Sequence, residues 1–286
     1  MSSYHDSMSG QSYRGRLAPS PTGLLHLGHA RTFWTAQERV RAEGGTLILR
    51  NEDLDRSRSR PEFVPAMYED LRWFGLEWQE GPDVGGPCQP YTQSERLHLY
   101  QDAFEKLKAG GSVYSCICSR QDVLRAAAAA PNAGEDEPIY PGTCRARTGP
   151  ESSHWSRANW RFRVPDGETI EFEDRAQGAQ RFVAGKDFGD FLVWRNDGVP
   201  AYQLAVVVDV SAMRITEVVR GEDLLKSTAR QILLYRALAL EVPKFFHCPL
   251  VRDEAGVRLA KRHDSLSLRK LREQGQSPET LRTNHG

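Results

Sequence analysis

The stretch SPTGLLHLGHARTFW, residues 20–34, sets two imidazoles, His26 and His29, three positions apart around a bare glycine, Gly28. Pro19, Pro21 and Gly23 break the chain just ahead of them, and residues 28–43 (GHARTFWTAQERVRAE) have helical spacing that stops at Gly44 and Gly45. Side chains at i and i+3 share one helix face, and the first turn of a helix presents unpaired N–H groups at its positive end. That combination suits an anion. A nucleotide phosphate fits best, since Gly28 leaves room for close approach and both histidines can donate hydrogen bonds as charge builds in a transition state.

The elements that must position these residues are legible in outline. RGRLAPSP reads as a short strand entering a loop, TLILR as a buried strand, and NEDLD as the acidic turn that closes it, so strand, loop, helix and strand make a βαβ unit with a parallel sheet. Residues 61–75 and 93–109 have the spacing of two further helices. The character changes between 114 and about 150, and NWRFRV and TIEFED beyond it read as antiparallel strands. From 186 the buried-strand signal returns in FLVW, YQLAVVVDV and EVVRGEDLL, followed by an amphipathic helix, STARQILLYRALAL, started by Ser227 or Thr228.

At 286 residues the chain can bury a substantial core, and 39% hydrophobic with 27% charged residues is ordinary for a soluble globular protein. Lys plus Arg and Asp plus Glu stand at 38 each, so any contact with nucleic acid must be local; the segment from Arg252 to Arg272, with seven basic residues against three acids, is the best place for it. No apolar run is long enough for a membrane span, and the first thirteen residues, expected to be a disordered leader, carry no export signal, so a cytoplasmic protein is expected.

The five cysteines (Cys88, Cys116, Cys118, Cys144, Cys248) argue against a disulfide framework. Cys116, Cys118 and Cys144 supply three of the four ligands that zinc prefers. Candidates for the fourth are Tyr140, His154 and Asp122; generic chemistry favours His154, because phenolate is a rare zinc ligand.

RLAPSPTGLLHLGHAR resembles the opening of the class I aminoacyl-tRNA synthetases of the glutamate type, with His26-Leu27-Gly28-His29 as the HIGH-like motif. LRNEDLDRSR, AYQLAVVVDV, VVRGEDLLKSTARQ and RLAKRHDSLSL match further segments of that family in order, the last as a KMSKS-like loop. The resemblance implies an α/β fold, a Rossmann-like parallel sheet over residues 14–113 and 186–250, split by a zinc-containing insertion at 114–185 and followed by the KMSKS-like loop and a helical segment at 251–286. It implies catalytic roles at ATP for His26, His29 and Lys261, with Gly28 beside the nucleotide. Arg258 and Ala260 depart from the loop's usual lysine and serine.

The same resemblance assigns glutamate binding to Arg16, Leu17, Ala18, Pro19, Ser20, Glu52, Tyr202 and Arg220. The charges agree, since glutamate carries two carboxylates and an ammonium, and arginine grips a carboxylate bidentately. Asp53, Asp55 and Asp209 are read as structural. The short glutamyl-queuosine tRNA(Asp) synthetases within this family share a C-x-C followed by Y-x-x-x-C around zinc, which here implies Cys116, Cys118, Tyr140 and Cys144 as ligands of a structural ion.

A glutamyl-tRNA synthetase continues past its KMSKS loop into an anticodon-binding domain, whereas this sequence runs 25 residues past Lys261, and no such domain is expected. The implied activity is formation of glutamyl adenylate from ATP, with Mg²⁺, and L-glutamate, then transfer to the queuosine of tRNA(Asp), by a monomer without membrane contact. Other readings are the catalytic fragment of a glutamyl-tRNA synthetase and a catalytically idle, synthetase-like RNA-binding protein. A pantothenate-synthetase-like enzyme shares HxGH but not the registered Arg16, Glu52, Tyr202 and Arg220.

Overall fold

The computed structural model describes residues 12–128, 139–146, 158–250 and 267–283. Strand β1 (Arg14–Leu17) leads through a loop into helix α1 (Leu27–Ala42) and returns as β2 (Thr46–Leu49), which pairs with β1 in parallel, Arg14 against Thr46 and Leu17 against Leu49. This is the βαβ unit that the sequence predicts. Helix α2 (Phe63–Trp73) carries Pro65 in its first turn, where a missing N–H costs nothing. A short 3₁₀ turn, Gln93–Glu95, precedes α3 (Leu97–Ala109).

Two parallel strands complete the centre: β8 (Glu217–Gly221) and β9 (Lys244–Cys248), joined by α6 (Leu225–Ala237). Strand β8 lies beside β1, since Thr216 N donates to Arg14 O at 2.9 Å and Arg16 donates to Val219 O. The parallel α/β sheet expected from sequence is thus present.

The described residues between 114 and 185 are woven into this frame. Strand β3 (Val113–Cys116) pairs antiparallel with β4 (Asn159–Phe162), and β4 with β7 (Phe191–Trp194). Strands β5 (Thr169–Asp174) and β6 (Gly178–Val183) form a hairpin whose β5 end meets β9 in parallel, Asp174 against Phe245. A short helix α4 (Arg120–Ala128) follows β3.

YQLAVVVDV is a helix, not the strand expected. It forms α5 (Tyr202–Ala212), in which all seven residues from Leu204 to Val210 are buried. A helix covered on every side loses its 3.6-residue pattern and reads like a buried strand. Helix α6 likewise begins at Leu225, after a 3₁₀ turn at Glu222–Leu224, ahead of the expected start at Ser227 or Thr228.

The main core packs α5 and α6 against Phe104 and Trp194, and a second core packs α1, β1 and β2 against α7 (Leu268–Glu273) and α8 (Pro278–Thr283). Of the expected leader, residues 1–11 lie outside the described residues, and Tyr13 is tied into the fold by its hydroxyl, 2.6 Å from Glu217.

Asp209, read from sequence as structural, sits fully buried on α5 and gathers Arg96 Nε at 2.7 Å, Gln93 Nε2 at 2.8 Å, the Tyr100 hydroxyl at 2.9 Å and Arg50 Nε at 3.5 Å. Removing that carboxylate takes from the buried Arg96 its ion-pair partner at 2.7 Å and leaves Arg50 with Glu52 alone. Asp209→Ala is expected to lower the unfolding free energy by about 3–5 kcal/mol, the cost of breaking a buried ion pair from one side, measured by urea denaturation.

Candidate active site and metal centre

The loop after β1 delivers the histidines to the mouth of α1. His26 is the N-cap, in extended conformation and making no side-chain capping bond, and its carbonyl starts the helix by accepting His29 N at 3.0 Å and Ala30 N at 3.1 Å. The two rings lie 4.7 Å apart, centroid to centroid. They line a cavity of about 650 Å³ together with Ala18, Pro19 and Ser20. A Cβ on Gly28 would meet no protein atom within 4 Å, so internal packing does not require glycine there. What the glycine leaves open is space above the helix end.

The far wall of this cavity was missed from sequence. Leu268 N donates to Leu25 O at 2.8 Å and Ser267 bridges to His26, which brings Arg269 and Lys270 of α7 to the same cavity. Lys261, Arg258 and Ala260 lie outside the described residues.

Arg16 at the end of β1 and Arg220 at the end of β8 are about 5% and 4% exposed. Arg16 donates to the Val219 carbonyl, its Nε has no hydrogen-bond partner among the described residues, and burial together with the Arg50 and Arg220 charges pushes its pKa down to about 10. Arg220 donates from Nε to His247 Nε2 at 3.1 Å, from Nη1 to Gln231 Oε1 at 2.9 Å and from Nη2 to Thr228 Oγ1 at 2.6 Å. Neither has a carboxylate partner among the described residues. Two buried cations without a counter-ion are costly, and a bound carboxylate is the natural remedy.

Glu52 follows β2 and accepts Arg50 Nη2 at 2.6 Å, while its amide bonds Pro19 O at 3.0 Å, tying the two loops together. Tyr202 opens α5, is 43% exposed, and lies close enough to Arg220, Glu52 and Arg16 to sense their charges. Leu17 is different: its side chain is buried in the core and only its backbone faces the loop, where its carbonyl accepts Arg50 N at 2.8 Å. Arg16, Glu52, Tyr202 and Arg220 do not line the 650 Å³ cavity, which takes in only the loop and histidine half of the expected set.

Three partners of the other half, that of Glu52 and Arg220, were missed: Arg50, His247 and Asp174. Arg50 stood beside Glu52 in LRNEDLD and could have been read from that charge pair. His247 and Asp174 come from distant strands, with Nδ1 of His247 2.5 Å from Asp174 Oδ2, both fully buried. Burial, then the Arg220 charge, lowers His247 to about 4 against the pull of Asp174.

In the third buried cluster, Cys116, Cys118 and Cys144 place their sulfurs within 4.8 Å of one another. The Tyr140 hydroxyl is 3.3 Å from Cys116 Sγ and 3.5 Å from Cys118 Sγ, and Cys118 and Cys144 are 3.7 Å apart. Four ligands at zinc bond lengths on a tetrahedron stand about 3.8 Å apart for two sulfurs and about 3.5 Å for sulfur and oxygen. The set fits zinc. Burial pushes the Tyr140 hydroxyl above its ordinary pKa; a dication would reverse that balance, as it does for a coordinating thiol. Asp122 is engaged elsewhere, accepting Ser119 N at 2.8 Å and Ser119 Oγ at 2.7 Å, and His154 lies outside the described residues.

With this geometry in place, residues 12–284 match the family model described as tRNA synthetases class I (E and Q), catalytic domain. The chain belongs to that family. It is 52% identical to a glutamyl-Q tRNA(Asp) synthetase of Symbiobacterium thermophilum, over 93% of this chain and 83% of that protein. It is 46% identical to glutamate–tRNA ligase 2 of Nitrosococcus oceani over 96% of this chain, but spans only 58% of that relative. Among solved structures, a glutamate tRNA ligase from Elizabethkingia meningosepticum in complex with its amino acid superposes with a TM-score of 0.78 at 32% identity, covering 88% of this chain and 52% of the other. Family membership makes this a ligase of the aminoacyl-tRNA synthetase type, and no helix among the described residues is long and apolar enough to cross a membrane.

The depressed His247 pKa has a testable sign. As pH falls from 6.5 towards 4, an unfolded histidine takes up its proton while the folded one does not, so stability is lost across that window and the loss levels off below it. The size is about 3 kcal/mol at about 1.36 kcal/mol per unit. Asp70, raised to about 6 by burial, acts in the opposite direction. The wild-type protein minus His247→Gln therefore isolates the histidine: the variant should lose less stability between pH 6.5 and 4 in denaturant titrations.

Proposed function

We propose that this chain activates L-glutamate with ATP to glutamyl adenylate and pyrophosphate, and transfers the glutamyl group to the queuosine of tRNA(Asp). The observation that carries the glutamate half is the pair of buried guanidiniums, Arg16 and Arg220, with no carboxylate partner among the described residues. The acceptor is supported by the 52% identity to a protein named for it, of which this chain spans 83%.

In this reading Arg16 and Arg220 take the substrate carboxylates, Glu52 faces the ammonium, Ser20 and Tyr202 form polar walls, and the backbone of Leu17, Ala18 and Pro19 shapes the floor. ATP lies over Gly28, with His26, His29 and Lys261 at its phosphates. The α-carboxylate attacks the α-phosphorus in line and pyrophosphate leaves. The chain's residues hold the reacting oxygen and phosphorus together and stabilise negative charge, and no protein nucleophile is required. Mg²⁺ arriving with ATP supplies further charge neutralisation. Cys116, Cys118, Tyr140 and Cys144 hold a structural zinc that ties the segment after β3 to residues 140–144.

The deciding measurement is ATP–pyrophosphate exchange driven by L-glutamate without tRNA. Robust exchange supports the proposal, whereas exchange only in the presence of tRNA would favour the catalytic part of a glutamate–tRNA ligase. His26→Ala or Lys261→Ala should lower exchange by roughly 10²-fold, the usual cost of losing one charge-stabilising donor; near-normal rates in both would overturn the assignment. For the metal, Tyr140→Phe should weaken zinc binding by more than the roughly 10–100-fold that an outer-sphere partner costs, and Asp122→Asn should leave it unchanged, in a chelator competition.

A further inference from the structure

We propose that His247, held in one tautomer by Asp174, is a positioning residue that aims Arg220 at a substrate carboxylate. The inference rests on the reading of Arg220 as a glutamate-binding residue.

Arg220 and His247 face each other in register across β8 and β9. Three of the five N–H groups of the guanidinium are spent on uncharged acceptors from two different elements: His247 on β9, and Thr228 and Gln231 on α6. One N–H on each terminal nitrogen has no acceptor among the described residues. Those two are the donors that Arg220 can still offer a carboxylate. The three bonds fix the guanidinium plane, so the remaining donors have a direction before any ligand arrives.

His247 can accept from Arg220 Nε only if its Nε2 carries no proton. Asp174 secures this, because its Oδ2 lies 2.5 Å from Nδ1 and takes the proton-bearing side. The carboxylate is itself pinned: Oδ1 accepts Ala176 N at 3.0 Å, Gln177 N at 2.9 Å and His247 N at 3.1 Å. A carboxylate of the protein placed directly on Arg220 would take up its remaining donors and cancel its charge. With one imidazole between them, Asp174 orients Arg220 and leaves it free to take an anion.

Asp174→Asn preserves the shape and reverses the logic. The asparagine oxygen can keep the backbone donors, which turns the amide nitrogen towards Nδ1, forces Nδ1 to accept and puts the proton on Nε2. Nε2–H can then turn to Thr228 Oγ1, 3.1 Å away, and Nε2 no longer accepts Arg220 Nε–H, so the bond that orients the guanidinium from β9 is lost. The same wrong-tautomer effect follows loss of the charged partner in a Ser-His-Asp triad.

The test measures ATP–pyrophosphate exchange against L-glutamate and against ATP, with thermal unfolding in parallel. Asp174→Asn and His247→Leu should raise KM for glutamate at least tenfold and leave KM for ATP within about twofold, and His247→Gln, whose amide oxygen can still accept from Nε, should recover most of the loss. Imidazole ¹⁵N NMR of the wild-type protein should show His247 neutral with its proton on Nδ1, and on Nε2 in Asp174→Asn. If Arg220→Ala raises KM for glutamate but Asp174→Asn and His247→Leu do not, the positioning role is wrong and the reading of Arg220 stands. If Arg220→Ala itself leaves KM for glutamate unchanged, both fall. A wild-type His247 that is protonated on Nε2 overturns the proposal whether or not the variants fold.

Discussion

Three guanidiniums, those of Arg16, Arg50 and Arg220, are buried close enough together that the charges of Arg50 and Arg220 work against that of Arg16. Like charges out of water repel strongly, and a fold keeps them only where something offsets the cost. Arg50 has its counter-ions in Glu52 and Asp209. Arg16 and Arg220 have hydrogen-bond acceptors and no carboxylate among the described residues. The rest of the structure supplies the rigidity this demands: two cores, a polar hub at Asp209, and the Glu217 contacts that fasten Arg39 of α1 and Tyr13 to β8.

This constraint links the two halves of the candidate site. The loop after β1 runs from Arg16 directly to His26, so placing the strand end also places the helix mouth. Glu52 is bound to the same loop through Pro19 O, and α7 closes the cavity from the other side through Leu25. A displacement of β1 against β8 would therefore move guanidiniums and imidazoles together.

What could be read from the chain follows from how locally each feature is determined. The βαβ unit was legible because strand, helix and strand lie within about forty residues and each carries its own period. The three cysteines and Tyr140 were legible as a candidate ligand set through spacing and resemblance, although spacing alone left Tyr140, His154 and Asp122 open. Helix α5 was misread because complete burial erases the difference between a helix and a buried strand. Residues 169–183, assigned from sequence to an insertion, contribute β5 to the sheet of β9, a pairing between segments about seventy residues apart that no local pattern encodes.

By itself the sequence determined which chemical groups are present and the short-range order that presents them: two histidines around a glycine at a helix start, arginines at strand ends, a cysteine set with metal spacing. Only the tertiary structure decided which of those groups are isolated from water and which lack a counter-ion among the described residues. It also decided that Asp174, His247 and Arg220 stand in one line, and that Arg269 and Lys270 share a cavity with His26 and His29. The physical reason is that helix starts and ligand spacings are set by neighbours along the chain, whereas burial, charge compensation and tautomer are set by neighbours in space.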